Sequence, residues 1–344
     1  MRQIDETEDT RMKLGLYMAT QWREGADLGP ELKNLIEQVR IAKASGLASL
    51  MVGQHFVSSP LQMFQAMPLL ARLAAEAEGM KLGPGLLLLP LLNPVVVAEE
   101  TATLDWLCGG NAIIGLGLGY RQEEFDSIGI PFKERVPRFV EGVAVIRKLW
   151  RDDVVEHRGR FHTLTKVKAS LKPKRAGGPP IWMAGDSEAP VKRAAKLADT
   201  WFPSPMVSQD GVGKLNALFR ETRAAAGLPP AAEYPIIREC HVGSGSGNAL
   251  GEVREPLAFK YEAYASWSGA SGFVPAERIR ANFDSFAADR FIIGSESQVV
   301  DLIGRYGERT GTDHMLLRVQ WPGLDQKTVV RTLERLGRVV EKVK

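Results

Sequence analysis

Cysteine is nearly missing from this chain: Cys108 and Cys240 are the only two among 344 residues. Neither sits in a metal-ligand spacing, and two isolated thiols make no disulfide framework. The expectation is a reducing compartment, with both cysteines serving as small buried packing groups. An excess of one charge is missing too. The 44 Lys and Arg residues nearly balance 41 Asp and Glu, a net charge of +3, and there is no dense basic run. Nucleic acid is therefore not an expected partner. Long hydrophobic runs are also absent. Leu86 to Leu92 is strongly apolar but contains Pro90 and is too short to span a bilayer. The polar start, Met1 to Arg11, lacks the apolar core of a signal peptide. No membrane association is expected, and a cytoplasmic location is.

Several chemistries lack their signatures. There is no GxSxG nucleophile elbow and no GxxxxGK[ST] phosphate loop. His157 and His162 have no zinc-partner pattern and are expected on the surface or in loops. Gly115-Leu116-Gly117-Leu118-Gly119-Tyr120 is not a dinucleotide fingerprint, because the GxGxxG spacing and the acidic ribose partner are missing.

What remains is ample material for a core, 44% hydrophobic against 25% charged. Repeated strand-then-helix order organises it. Strands are expected near Leu14, Leu50, Leu87, Ile113, Trp182, Trp201, Ile237 and Leu316. Between them, Glu31 to Ala44 places Leu32, Leu35, Ile36, Val39 and Ala42 at helical spacing. Pro94 to Leu107 starts with a proline that the first turn tolerates. Arg138 to Trp150 gathers Val140, Val143, Ile146, Leu149 and Trp150 on one side. Eight strands in about 340 residues favour a (β/α)8 barrel with its site at the carboxyl ends of the strands, a doubly wound sheet being the alternative. The chain is expected to be one domain over residues 1–344. Within it, Ser244 to Asp289, rich in glycine and carrying Tyr261, Tyr264 and Trp267, reads as an insertion. It is either a lid or an extra helix packed on the barrel.

Four segments share one resemblance. They are Leu82 to Tyr120 (LGPGLLLLPLLNPVVVAEETATLDWLCGGNAIIGLGLGY), Leu47 to Phe56 (LASLMVGQHF), Pro179 to Phe202 (PPIWMAGDSEAPVKRAAKLADTWF) and, more weakly, Phe291 to Val300 (FIIGSESQVV). In order and spacing they resemble the bacterial luciferase-like family of flavin-dependent oxidoreductases, over nearly the whole chain. The resemblance implies an active-site role for His55, whose imidazole can move a proton near neutral pH; its plain alternative is ordering the barrel mouth. Gln54 departs from the acidic residue frequent before this histidine, which weakens an acid–histidine pair.

The same resemblance puts Pro84 and Gly85 beneath the flavin ring, with a bulge or non-prolyl cis bond there. Gly117, Gly119 and Tyr120 would flank the ring, and Gly185 and Ser187 would meet phosphate. Tight strand packing is the alternative for the glycines, and helix capping is the favoured role for Asp186. Arg121 and Arg135 are candidates for phosphate or substrate contact, or for surface pairing. The implied activity is a monooxygenase using reduced FMN and dioxygen on a small organic substrate. A separate reductase would deliver the flavin, and the chain would form a homodimer. A deazaflavin-dependent hydride-transfer enzyme and a non-catalytic flavin-binding protein are the alternatives. Trp22, Phe56, Tyr264 and Trp267 are candidates for an apolar substrate wall.

Overall fold

A computed structural model describes residues 12–245, 247–268 and 276–343. Eight parallel strands carry the architecture: β1 Lys13–Met18, β2 Ser49–Val52, β3 Lys81–Pro84, β4 Ile114–Gly117, β5 Ile181–Ala184, β6 Thr200–Phe202, β7 Pro235–Val242 and β8 His314–Arg318. One ladder runs β7-β8-β1-β2-β3 and another β6-β5-β4. A bridge between Leu82 and Ala112 joins β3 to the approach of β4. At the other seam, Thr200 Oγ1 donates to the Glu233 carbonyl at 2.7 Å. The fold is the TIM barrel, as expected from the eight strands.

Alternation along each strand divides the core in two. Met51, Ile113, Trp182, Phe202, Ile237 and Leu316 form one cluster inside the barrel. Their neighbours Leu50, Ile181, Trp201, Ile236 and Leu317 belong to the larger cluster under the helices. Gly83 is set by a close approach: a Cβ there would lie 1.7 Å from the Ile113 carbonyl oxygen.

The helices follow from their spacing, with corrections at the edges. Glu31–Ala44 buries Leu35, Val39 and Ala42 but also Gln38, while Leu32 faces solvent. Gln38 is accommodated by hydrogen bonds to Gln320 and Gln326 at 2.7 and 2.9 Å. Pro94–Leu107 begins on Asn93, whose side chain accepts from Val95 N. Arg135–Arg151 buries Val143, Ile146, Leu149 and Trp150, but Val140 is exposed and Phe139 takes the inner face. The strand expected near Leu87 is divided: Lys81–Pro84 is the barrel strand, and Leu87–Leu88 forms a separate short strand beyond a cis bond.

Between β7 and the short strand Ile292–Gly294 lie the helices Ala249–Ser268, Ala276–Ala281 and Phe283–Arg290. Val253, Leu257, Tyr261, Phe283, Phe286 and Phe291 give this segment a cluster of its own. The expected insertion is thus helical here. Gly269 and Gly272, read as loop punctuation, lie outside the described residues.

The amino-terminal end of the barrel holds a buried relay. Ser49 Oγ is 2.7 Å from His314 Nε2, and His314 Nδ1 is 3.0 Å from Glu233. Ser49 and His314 are fully buried. No substrate reaches that hydroxyl, so the relay ties strand starts together. Among the described residues, no helix is long and apolar enough to cross a membrane.

Candidate active site

A cavity of about 320 Å³ opens at the carboxyl ends of the strands. His55, Gly85, Gly117, Gly119, Tyr120 and Gly185, expected from three of the four resembling segments, all line it. Pro84 and Ser187 do not. Pro84 is buried one step behind the floor, where its carbonyl would meet a Gly115 Cβ at 2.5 Å. Ser187 precedes the helix Glu188–Leu197 and makes no capping bond.

The floor is Gly85-Leu86. The non-prolyl cis bond is Gly85–Leu86, one residue later than the Pro84-Gly85 position singled out in the sequence. Tyr17 O–H donates to the Gly85 carbonyl, and Gly85 N–H donates to Val52 at 2.7 Å. A Cβ on Gly85 would press on Met51 and Tyr17, and one on Gly117 would reach Leu86 at 3.0 Å. Packing and cavity lining thus coincide at these glycines. A bare, flat backbone surface of this kind accepts a planar ring.

His55 lies three residues beyond β2, and its acid comes from elsewhere in the chain. His55 Nδ1 is 3.0 Å from Oε1 of Glu124, on the helix Gln122–Ile128 after β4. The same oxygen accepts from Phe56 N–H at 2.9 Å, while Glu124 Oε2 is buried without a hydrogen bond among the described residues. An acid–histidine pair therefore exists although Gln54 is not acidic. Gln54 instead accepts from Leu88 N–H at 3.1 Å. Glu124 escaped the sequence reading because only the βα loops of the fold bring it to His55. Its one signal was its place just after the glycine-rich strand end.

Arg121 is not a surface residue, although it pairs with the exposed Glu123 at 2.8 Å. It is buried, donates to the carbonyls of Phe56 and Val57 at 3.0 and 3.2 Å, and fixes the His55 loop. Asp186 is not a helix cap either: its carboxylate accepts from Ser204 N and Oγ at 3.0 and 2.6 Å. That bond turns the negative charge onto Ser204.

Aromatic rings close the mouth. Tyr120 is 5.8 Å from the His55 ring, Tyr264 6.2 Å and Trp267 5.4 Å, with Tyr264 and Trp267 stacked 5.1 Å apart. Burial pushes the Tyr120 and Tyr264 phenols up, so both stay protonated near neutrality. Tyr264 lines the cavity, whereas Trp22 packs on Phe64 and Phe56 on the Leu88 and Phe125 cluster.

One helical turn beyond the lining residue Pro190 lies Arg193. Burial and the neighbouring Arg135 guanidinium both pull it below the usual arginine range. Arg135 lies over the Phe132 ring at 3.9 Å. Neither arginine has a carboxylate bond among the described residues, and two neighbouring cations of this kind suit a phosphate. A planar group with a phosphate tail fits this cavity. No group of three metal-ligating side chains occurs among the described residues.

Barrel, glycine floor and histidine–carboxylate wall meet at one cavity. Residues 12–314 match the model of the luciferase-like monooxygenases, and the chain belongs to that family of flavin- and deazaflavin-dependent oxidoreductases. A phthiodiolone/phenolphthiodiolone dimycocerosates ketoreductase from Mycobacterium bovis is 30% identical over 241 residues, covering 62% of this chain and 63% of that one. Among solved structures, the monooxygenase RslO1 from Streptomyces bottropensis superposes with a TM-score of 0.84 at 22% identity, covering 95% of this chain and 98% of that one. An F420-dependent secondary alcohol dehydrogenase with an F420–acetone adduct gives 0.78 at 21%, covering 96% and 99%. The oxygenating constituent of 3,6-diketocamphane monooxygenase from Pseudomonas putida, a type II Baeyer-Villiger enzyme in complex with FMN, gives 0.74 at 18%, covering 96% and 98%. These structures share the fold.

Proposed function

We propose that this protein is a flavin-dependent monooxygenase that uses reduced FMN and dioxygen to oxidise a small organic substrate. The observation that carries the reading is the His55–Glu124 pair, whose imidazole lines the glycine-floored cavity. Reduced FMN would supply the electrons and activate dioxygen. The residues supply the rest. Gly85, Leu86, Gly117 and Gly119 seat the ring, while Gly185, Ser187, Arg135 and Arg193 face its phosphate end. Glu124 orients the His55 imidazole through Nδ1, which leaves Nε2 to hold or move a proton beside the substrate. Tyr120, Tyr264 and Trp267 exclude water from that proton.

The helical segment after β7 acts as the cover of the cavity. A separate reductase delivers the reduced flavin. The chain works as a cytoplasmic homodimer.

A second reading, hydride transfer with a deazaflavin, is favoured by the named activity of the 30%-identical ketoreductase. It uses the same floor and the same proton-handling pair but needs no oxygen. Anaerobic titration with reduced FMN and with a reduced deazaflavin, followed by an oxygen pulse, separates the two. Tight FMN binding with oxygen consumed in proportion to product supports the monooxygenase. Preference for the deazaflavin with no oxygen uptake supports hydride transfer. Binding without turnover of any aldehyde, ketone, terpene or sulfur compound would leave a flavin-binding protein.

A further inference from the structure

Behind the cavity a single carboxylate serves two cations. Glu239, on β7 and fully buried, accepts from Arg318 Nη1 at 2.9 Å and from Lys260 Nζ with the same oxygen. Tyr261 O–H donates to that oxygen at 2.9 Å, and Trp321 Nε1 donates to the other. Neither Lys260 nor Arg318 has another carboxylate partner among the described residues. Two positive charges against one negative leave the cluster with an excess of one when Lys260 is protonated.

The excess faces the cavity. Lys260 is sealed in, but Arg318 lines the cavity with its guanidinium 4.4 Å over the Tyr17 ring, beside the Gly85 floor. Among the lining residues, only Asp186 carries an opposing charge, and Ser204 engages it. A low-dielectric wall whose guanidinium shares its one carboxylate with a second cation attracts a planar, delocalised anion.

We propose that Arg318 is the oxyanion-binding residue of this cavity, pairing with a delocalised oxyanion: a carboxylate or enolate of the substrate, or the ionised pyrimidine edge of the reduced cofactor ring. The proposal rests on the flavin reading only for the second source. Lys260 tunes the site through Glu239. Burial and Arg318 pull its ammonium down to about 7 against the opposing pull of Glu239. The buried Arg238 also acts on the cluster through Tyr261, and the remaining groups facing it are Tyr17, Tyr261 and Tyr264, whose phenols burial pushes up, so they stay neutral. Anion affinity therefore rises as pH falls through about 7, and binding at pH 8 takes up a proton.

The test compares benzoate with benzamide, matched in shape but not in charge, on cofactor-free protein by calorimetry at pH 6 and pH 8. It uses wild type, Lys260→Met, Arg318→Met and Arg318→Lys. If the anion comes from a substrate, Lys260→Met and Arg318→Met weaken benzoate at least tenfold at pH 6. Lys260→Met then leaves benzamide within twofold and abolishes proton uptake at pH 8, and Arg318→Lys retains part of the benzoate affinity. If it comes from the ring, benzoate is indifferent, and bound reduced FMN or deazaflavin ionises about tenfold less readily in Lys260→Met, read from its absorbance against pH. Equal weakening of benzoate and benzamide, or no change in either arm, overturns the proposal. Should Arg318→Met fail to fold, Lys260→Met and Arg318→Lys still decide it. Failure of either reduced cofactor to bind removes the flavin reading, while the benzoate arm still decides this one.

Discussion

His55 and Glu124 stand 69 residues apart in sequence, yet Nδ1 of one lies 3.0 Å from Oε1 of the other. The pair fixes which imidazole nitrogen is committed to the protein and which is left for the cavity. Glu124→Gln keeps an oxygen to accept from Phe56 N–H but removes the charge. A fall in kcat of roughly a hundredfold is expected, with a flattened pH profile and cofactor affinity within about threefold. Steady-state kinetics across pH 5 to 9 check it. A kcat within threefold of wild type with an unchanged profile would reduce Glu124 to a prop for the loop.

Arg193 should act on phosphate alone. Arg193→Ala is expected to weaken FMN by roughly tenfold while leaving riboflavin, which lacks the phosphate, unaffected. Fluorescence titration of both ligands reads the difference. Equal losses for both would place the phosphate elsewhere.

Close approach at the base of the site sets a stability prediction. An added Cβ at Gly83 meets the Ile113 carbonyl at 1.7 Å, and backbone cannot swing aside as a side chain can. Gly83→Ala should cost about 3 kcal/mol or more. Gly304, inside the helix Glu296–Thr310 with nothing within 4 Å, is the control. Gly304→Ala should gain about 0.5–1 kcal/mol. Urea denaturation measures both.

Acid should loosen the opposite end of the barrel. Burial raises the Glu233 pKa, but the hydrogen bond and charge of His314 together with Lys81 outweigh it and hold the carboxyl at about 2. A folded pKa below the ordinary 4.5 contributes stability that is present above pH 4.5 and lost as pH falls toward 2. The difference corresponds to about 3 kcal/mol. Subtracting the Glu233→Gln stability curve from that of wild type should show a slope confined to that window. A flat difference would mean the carboxylate is not held by its neighbours.

What the sequence determined is what local chemistry encodes. Apolar runs and helical spacing placed the barrel strands, although the third lies at Lys81–Pro84, ahead of the Leu87 position expected for it, and Pro94 marked the start of its helix. Glycines at strand ends announced a bare backbone floor. The tertiary structure alone decided the partners. Glu124 reaches His55, and Glu239 gathers Lys260 and Arg318, only because successive strands rotate around the barrel and bring their carboxyl ends to one face. Spacing along the chain carries no record of that rotation. Val140 and Leu32 were placed inward for the same reason: helical period names a face, but only the neighbouring helices decide how wide the covered part of it is. Arg121 was read as a phosphate, substrate or surface contact and Asp186 as a helix cap, because spacing along the chain does not show the carbonyls or the hydroxyl that the fold brings within hydrogen-bonding distance.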